Sequence, residues 1–172
     1  YEPAAYFAAL QAECRRRAPG PVWLVIEKIL GPGEQLPTDW DIDGTTGYDF
    51  LSAVNGLWVA PESGPRLSGF YGRFADMPAA YPELAHASRL AILRASLSSE
   101  VHMLAHRLER IAQADRRSRD FTRVSLTRAI VATIAAFPVY RSYVRPDGAR
   151  TPEDTAHIDR AIAEARHRQA DV

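Results

Sequence analysis

The amino-acid sequence predicts a mainly α-helical chain with a small α/β portion near its start. Five consecutive apolar residues at 22–26, rich in β-branched and aromatic types, are typical of a parallel strand buried on both faces. From residue 48 onwards, apolar residues recur mostly every three or four positions, which indicates helices. The segment 31–47 is rich in glycine and proline and predicts a loop.

A predicted helix precedes the strand. Pro3 suits a first helical turn, because that position needs no backbone N–H donor. The arginines at 15–17 would lie at the carboxyl end, where the helix dipole favours cations. One parallel strand cannot form a sheet, so its partners are either weakly coded or outside the chain. The helical spacing is carried by Tyr6, Phe7, Leu10 and Cys14.

Five predicted helices follow the loop. The longest keeps one apolar face over about eight turns at ~3.6 residues per turn. The last begins at a capping signature, in which Thr151 is followed by Pro152 and then by the carboxylate of Asp154. For the first of these helices, at 48–59, the alternative is a helix that ends in a brief strand at 57–59. The predicted spans are 48–59, 67–74, 84–111, 121–136 and 152–168, and the fourth is expected to turn Phe121, Val124, Ile130 and Ile134 inward.

Composition excludes several classes of function. The 172 residues, 47% of them hydrophobic, suffice for one packed domain or for a small core with an appended helical bundle. The 21 basic and 21 acidic residues leave no net field to attract nucleic acid or an anionic membrane. No apolar stretch reaches the roughly 20 residues that span a bilayer. The single cysteine, Cys14, favours a reduced, cytoplasmic setting. A start at Tyr1 without methionine indicates a piece of a longer chain.

Glu27 is the leading candidate for catalysis. It directly follows the predicted strand, and the carboxyl ends of parallel strands are where α/β proteins build active sites. A carboxyl held partly out of water binds its proton more tightly, as a general acid requires. The alternatives are an ion pair with Lys28 or a strand end that simply reaches solvent.

The remaining candidates indicate neither a metal nor a cofactor. His102 and His106 lie four apart, but Met103 stands where a His-Glu-x-x-His motif needs glutamate, so a solvated helix face is favoured. The Gly-Pro-Gly at 31–33 lacks the lysine of a phosphate loop. The basic cluster at 116–119 is flanked by aspartates and indicates a solvated turn.

Five strings of residues are more informative than the residue types that they contain. They are Val25–Leu30, then Gly33, Glu34, Leu36, Pro37 and Trp40, then Asp43–Leu51, Arg119–Thr122 and Phe137–Val144. Together these strings resemble stretches of the maltooligosyltrehalose synthase family. Their order and approximate spacing agree with the family, and the resemblance covers about 1–168. It is densest between Glu27 and Leu51, while Ser142 stands where the family commonly has threonine.

This resemblance implies a fragment of a (β/α)8 glycoside-hydrolase barrel of the alpha-amylase clan, with one catalytic strand and a helical insertion domain. Residues 1–60 would belong to the barrel, 61–150 to the insertion, and 151–172 to a helix leading back toward the barrel. The implied isomerase converts the reducing-end α-1,4 bond of a maltooligosaccharide into an α,α-1,1 bond by intramolecular transglycosylation with retention.

The resemblance assigns the acid/base role to Glu27. Trp40, Tyr48 and Asp49, in or beside the loop after the strand, are candidate substrate-binding residues. The nucleophilic and stabilising aspartates would lie outside the chain, one on each side, so the chain alone is expected to be inactive. Its implied partners are the rest of the parent chain and a maltooligosaccharide, with no cofactor, metal, nucleic acid or membrane.

Two other functions remain open. A hydrolase of the same clan would release free trehalose or maltooligosaccharide, although the string at 43–51 argues against it. A non-enzymatic helical interaction module would expose the apolar face of the longest helix, whereas the enzyme interpretation buries that face against the following helices. The residues that distinguish these two are Leu93, Leu97, Leu104 and Leu108.

Overall fold

A computed structural model describes residues 2–18, 20–76 and 80–170. Within them the chain is mainly helical with one small two-stranded sheet, which confirms the predicted mainly α composition with a minor α/β part. No helix in this part of the chain is long and apolar enough to cross a membrane. The elements are α1 (Pro3–Arg17), β1 (Val25–Ile26), β2 (Gly44–Thr45), α2 (Asp49–Gly56), a 3₁₀ turn (Pro61–Ser63), α3 (Gly64–Phe74), α4 (Tyr81–Ala95), α5 (Ser98–Ala114), α6 (Arg123–Ala136) and α7 (Pro152–Ala170).

The chain forms two compact units. The first comprises Tyr1–Phe70 with Val139–Arg150 and contains α1, the sheet and α2. The second comprises Tyr71–Pro138 with Thr151–Val172 and contains α4 to α7. The assignment of 1–60 to a barrel and of 61–150 to an insertion stays a prediction.

β1 is shorter and less buried than the sequence predicts. It pairs in parallel with β2, with Val25 opposite Gly44, which confirms the parallel direction. The prediction that this strand is buried on both faces is wrong, since Trp23 is 75% exposed and Val25 is also exposed. A strand that is buried on both faces lies inside a sheet covered by other elements. Among the described residues, β1 has one neighbouring strand.

β2 lies inside the segment 31–47 that the sequence predicts as a loop. The partner of β1 was expected either to lie outside the chain or to have a weak sequence signal. For β2 the second explanation is confirmed. Gly44 has low strand propensity, and a two-residue strand is too short to show alternation of apolar and polar positions.

The longest predicted helix is in fact two helices, α4 and α5. The N–H groups of Ser96 and Leu97 both donate to the Ile92 carbonyl, at 2.9 and 3.2 Å, and α5 then starts at Ser98. Serine competes for backbone hydrogen bonds and so favours helix ends over helix interiors. The break also allows both helices to pack against α6.

The second unit has a core at the meeting of α4, α5 and α6. Leu93, Val101 and Ala135 are buried there, and Leu90, Ile130 and Val131 pack against them. The face of α6 that is buried runs through Leu126 and Ala135, so the predicted inward face is wrong except at Ile130. The exposed residues that were expected inside are Phe121, Val124 and Ile134.

The four leucines that were expected to distinguish an enzyme from an interaction module lie partly in the core and partly in solvent. Leu93 is buried and Leu108 is half-buried, whereas Leu97 and Leu104 are each 40% exposed. The large continuous exposed face that the interaction module requires is therefore not present on these residues.

The predicted start of α7 is confirmed in detail. The Thr151 hydroxyl accepts the Asp154 N–H at 3.0 Å, and the Asp154 carboxylate accepts the Thr151 N–H at 3.2 Å. This reciprocal pair is a capping box, and it satisfies two backbone donors that a helix start leaves unpaired.

Arg168 connects α7 to α4 in the second unit. Its guanidinium donates to both oxygens of Glu83, at 2.8 and 3.0 Å, and holds the pKa of that carboxyl below its ordinary value of 4.5. A lowered pKa stabilises the fold above the ordinary pKa, and this contribution is lost as the pH falls through the lowered one.

We therefore expect Arg168→Ala to lower the urea midpoint of unfolding slightly at pH 7, because Glu83 is exposed and ion pairs with an exposed partner contribute little. The difference from wild type should disappear as the pH is lowered from 4.5 to below the pKa of Glu83. Circular dichroism of urea unfolding at pH 7, 5 and 3 measures this. Arg166→Ala, an exposed arginine on the same helix, is the control. A difference that persists undiminished at pH 3 would contradict the electrostatic explanation.

Candidate active site

Glu27 directly follows β1, and its side chain is exposed. The peptide groups before and after Glu27 are both hydrogen-bonded to residues at or just after the end of β2. The Ile26 carbonyl accepts the Thr46 N–H at 2.9 Å, and the Lys28 N–H donates to the Thr45 hydroxyl at 3.1 Å. The expected partial burial of the carboxyl is not found among the described residues, because β1 has neighbouring strand only on the side of β2.

The Thr45 hydroxyl makes three hydrogen bonds next to Glu27. Its oxygen accepts from the N–H groups of Lys28 and Gly47, at 3.1 and 2.9 Å, and its hydrogen is donated to the Lys28 carbonyl at 2.7 Å. A hydroxyl has one hydrogen to donate and two lone pairs to accept. All three capacities are therefore used: two bonds join Thr45 to Lys28 after β1, and the third holds Gly47 after β2.

Asp43 performs the equivalent task at the other end of the ladder. Its carboxylate accepts the Leu24 N–H at 2.7 Å, and its own N–H donates to the Leu24 carbonyl at 2.7 Å. The side chains of Asp43 and Thr45, two residues apart, thus extend a ladder of two residues in both directions. Asp43 therefore holds the strand pair together.

Gly47 lies where the chain leaving β2 passes the chain leaving β1. A Cβ at this position would stand 2.3 Å from the Lys28 carbonyl oxygen and 2.7 Å from its carbon. Real Cβ atoms do not approach backbone atoms so closely. Only glycine fits this crossing.

Tyr48 and Asp49 follow this crossing immediately. Tyr48 has a left-handed backbone with φ of 74°, which is unusual for a bulky residue, and its side chain is 56% exposed. Asp49 is exposed in the first turn of α2, where the helix dipole favours a negative charge. The hydrogen bonds of Thr45 and Thr46 to Ile26 and Lys28 hold the segment that leads into these two residues against the exit of β1.

Lys28 has a partner other than Glu27. Its ammonium lies 2.5 Å from one carboxylate oxygen of Glu34, whose other oxygen accepts the Gly31 N–H at 2.8 Å. Both charged side chains are only 9% exposed. The alternative of a Glu27–Lys28 ion pair is therefore wrong, and the Lys28–Glu34 pair instead closes the loop after β1.

Trp40 belongs to an aromatic cluster on the side of Lys28. Its ring centroid lies 5.2 Å from that of Phe7 and 5.1 Å from that of Tyr143, and the Lys28 ammonium lies 5.5 Å from the Tyr143 centroid. Neighbouring side chains of an extended backbone point to opposite sides, as the exposed Glu27 and buried Lys28 do. The structure thus groups Trp40 with Lys28 through the ring of Tyr143.

Sequence reasoning missed the contributions of Thr45, Gly47 and Glu34. Their contacts reach across 17, 19 and 6 positions, to Lys28 in each case. The family-like string at 43–51 was the one signal that marked the first two. His102 and His106 are exposed on α5, and the described part of the chain contains no cluster of three residues able to hold a metal.

No family model matches the chain. Two Mycobacterium tuberculosis proteins, from strains CDC 1551 / Oshkosh and H37Rv, are named maltooligosyl trehalose synthase and are each 30% identical over 145 residues. The match covers 81% of this chain and 17% of each relative. The chain therefore spans about a sixth of the length of these curated relatives.

Solved structures give the same result. Maltooligosyltrehalose synthase from Arthrobacter ramosus matches with a TM-score of 0.71 and 28% identity, over 98% of this chain and 19% of that one. A glycosyltrehalose synthase shares the fold, with a TM-score of 0.61 and 24% identity over 96% of this chain and 22% of that one. By sequence and by fold, this chain belongs to the maltooligosyltrehalose synthase family and matches one part of its members.

Proposed function

We propose that this chain is the acid/base-bearing part of an isomerase that converts the reducing-end α-1,4 bond of maltooligosaccharides into an α,α-1,1 bond. The observation that carries the proposal is the place of Glu27, an exposed carboxylate at the carboxyl end of a parallel strand. Family membership supports the proposed substrate class and reaction.

Retention of configuration requires a nucleophile and an acid/base about 5–5.5 Å apart across the glycosidic bond. In the proposed mechanism, protonated Glu27 gives its proton to the departing glycosidic oxygen while a carboxylate from the rest of the enzyme bonds to the anomeric carbon. The released glucose then turns its anomeric hydroxyl toward the glycosyl–enzyme bond. Glu27, now a carboxylate, removes that proton as the new bond forms and the nucleophile leaves.

Isomerisation wins over hydrolysis only if the pocket excludes water and retains the glucose. Tyr48 and Asp49, which are exposed beside the Glu27 segment, are proposed to contribute to its wall. Trp40 is proposed to contact sugar from the aromatic cluster on the Lys28 side. Stacking of a ring on a sugar and acceptance of sugar hydroxyls by a carboxylate are the expected contacts.

The rest of the enzyme is proposed to supply the nucleophilic and stabilising aspartates, so this chain alone is expected to be inactive. The apolar surface of the first unit supports a covering partner of this kind. Phe50 is 83% exposed, Trp58 is 86% exposed, and Trp23 before β1 is 75% exposed. Side chains of this size are seldom left in contact with water in a complete soluble protein.

Product analysis of the whole enzyme tests the reaction. An α,α-1,1 bond removes the reducing end without adding a new chain, so the reducing-sugar signal should fall as maltooligosaccharide is consumed. Hydrolysis by an enzyme of the same clan would instead raise that signal, which would contradict the proposal.

For the pocket wall, we expect Tyr48→Ala in the whole enzyme to reduce trehalose-bond formation by about tenfold, the effect of losing one pocket side chain. The fraction of substrate that is hydrolysed should rise several-fold, because water enters the space left by the ring. Chromatography of the products measures both quantities. Tyr140→Ala removes a 94% exposed tyrosine of the same unit and is the control. If both quantities stay at wild-type values in Tyr48→Ala, Tyr48 has no part in the wall.

A further inference from the structure

We propose that the Thr45 hydroxyl is a positioning group that sets the direction of the Glu27 side chain. This inference rests on the proposed acid/base role of Glu27. The regular pairing of the two strands ends with Ile26 opposite Thr45, one residue before Glu27. Beyond that point the hydroxyl replaces the backbone as the partner of the β1 chain.

The hydrogen bonds fix both peptide groups that flank Glu27. The peptide before it is held through the Ile26 carbonyl, which accepts the Thr46 N–H at 2.9 Å. The peptide after it is held through the Lys28 N–H, which donates to the Thr45 hydroxyl at 3.1 Å. With both peptide planes fixed, the backbone angles of Glu27 are set, and only the torsions of its side chain remain free.

The same hydroxyl also holds the next carbonyl and the Gly47 crossing. It donates to the Lys28 carbonyl at 2.7 Å and accepts the Gly47 N–H at 2.9 Å. Loss of this hydroxyl would leave three backbone groups without this partner, two at Lys28 after β1 and one at Gly47 after β2. A displacement of about 1 Å at a reacting group can cost ~10²-fold in rate, so the position of the Glu27 backbone bears directly on catalysis.

A second anchor keeps the segment folded when the hydroxyl is absent. The buried Lys28–Glu34 pair and the Gly31 N–H bond to Glu34 do not involve Thr45. Thr45→Val, which has the same shape without the hydroxyl, should therefore leave the fold in place and release only the peptide groups next to Glu27. Thr45→Ser keeps the hydroxyl and serves as the matched control.

The experiment is a double-mutant cycle in the whole enzyme, with Thr45→Val, Thr45→Ser, Glu27→Gln and the Thr45→Val/Glu27→Gln pair. We expect Thr45→Val to lower kcat by about 10–100-fold with KM within about threefold, since the group acts on the transition state rather than on binding. Thr45→Ser should stay within about threefold of wild type. In the Glu27→Gln background, Thr45→Val should cost less than about threefold, because the group that it positions no longer reacts.

Hydrogen exchange measured by mass spectrometry supplies a readout that is independent of activity. Peptides containing the Lys28 and Gly47 amides should exchange faster in Thr45→Val than in Thr45→Ser, while peptides from α4 to α7 should be unchanged.

Each outcome has a distinct meaning. An active Thr45→Val beside an inactive Glu27→Gln overturns the positioning role alone. An equal loss from Thr45→Val in both backgrounds also overturns it, because the effect would not pass through Glu27. A Glu27→Gln enzyme with wild-type activity overturns the proposed acid/base role, and the positioning role with it.

Discussion

Glu27→Gln in the whole enzyme is expected to lower kcat for trehalose-bond formation by about 10²–10⁴-fold, the usual contribution of general acid/base catalysis. Glutamine has nearly the same shape, but its amide neither gives a proton to the departing oxygen nor takes one from the attacking hydroxyl. Binding should change little, since the hydrogen-bonded backbone on both sides of this residue is retained. Steady-state rates and substrate affinity, measured on one maltooligosaccharide, separate the two effects.

A substrate with a good leaving group sharpens this result. Fluoride departs from a maltooligosyl fluoride without being protonated, so the first step should be largely restored in Glu27→Gln when fluoride release is followed. Glu62→Gln changes an exposed carboxylate of the same unit and should behave as wild type on both substrates. Trehalose-bond formation within about tenfold of wild type in Glu27→Gln would rule out the acid/base role.

Gly47→Ala is expected to have the second largest effect, because its Cβ would stand 2.3 Å from the backbone oxygen of Lys28. Neither atom is at the end of a flexible side chain, so the exits of β1 and β2 must separate. Forcing extra volume into a packed position typically costs about 1–3 kcal/mol. The displaced Glu27 segment should in addition lower kcat by ~10²-fold.

Gly44→Ala, in β2 three residues before Gly47, provides a matched control. A Cβ at Gly44 meets no atom within 4 Å, so this variant should keep wild-type stability and activity. Urea unfolding and product formation, measured on both variants, test the expectation. If Gly47→Ala is as stable and as active as Gly44→Ala, the close crossing does not govern the site.

Elements with local signals were predictable from the sequence. α1 begins at Pro3 and ends after the three arginines, as proline and helix-dipole preferences predict. α7 begins at the capping box of Thr151 and Asp154, which involves residues three positions apart. Each of these signals is contained within one turn of helix, so no distant contact is needed to form it.

Elements that depend on distant contacts were predicted poorly. The apolar spacing continues through Ser96 and Leu97 without interruption, so it does not show that two separate helices, α4 and α5, pack against α6. The buried face of α6 is likewise selected by its neighbours, which is why Phe121 and Val124 are exposed against expectation.

For the candidate site, the position of Glu27 after an apolar run and the family of the surrounding strings could both be predicted from the sequence. The way in which Glu27 is held could not, because it depends on contacts between distant segments. A strand of two residues, Gly44 and Thr45, is too short to show a periodic signal, yet β2 pairs with β1 and the Thr45 hydroxyl joins residues 17 positions apart. Periodicity describes which face of a segment is apolar, while hydrogen bonds between distant segments depend on the path of the whole chain. The hydrogen bonds that hold the backbone on both sides of Glu27 join such distant segments.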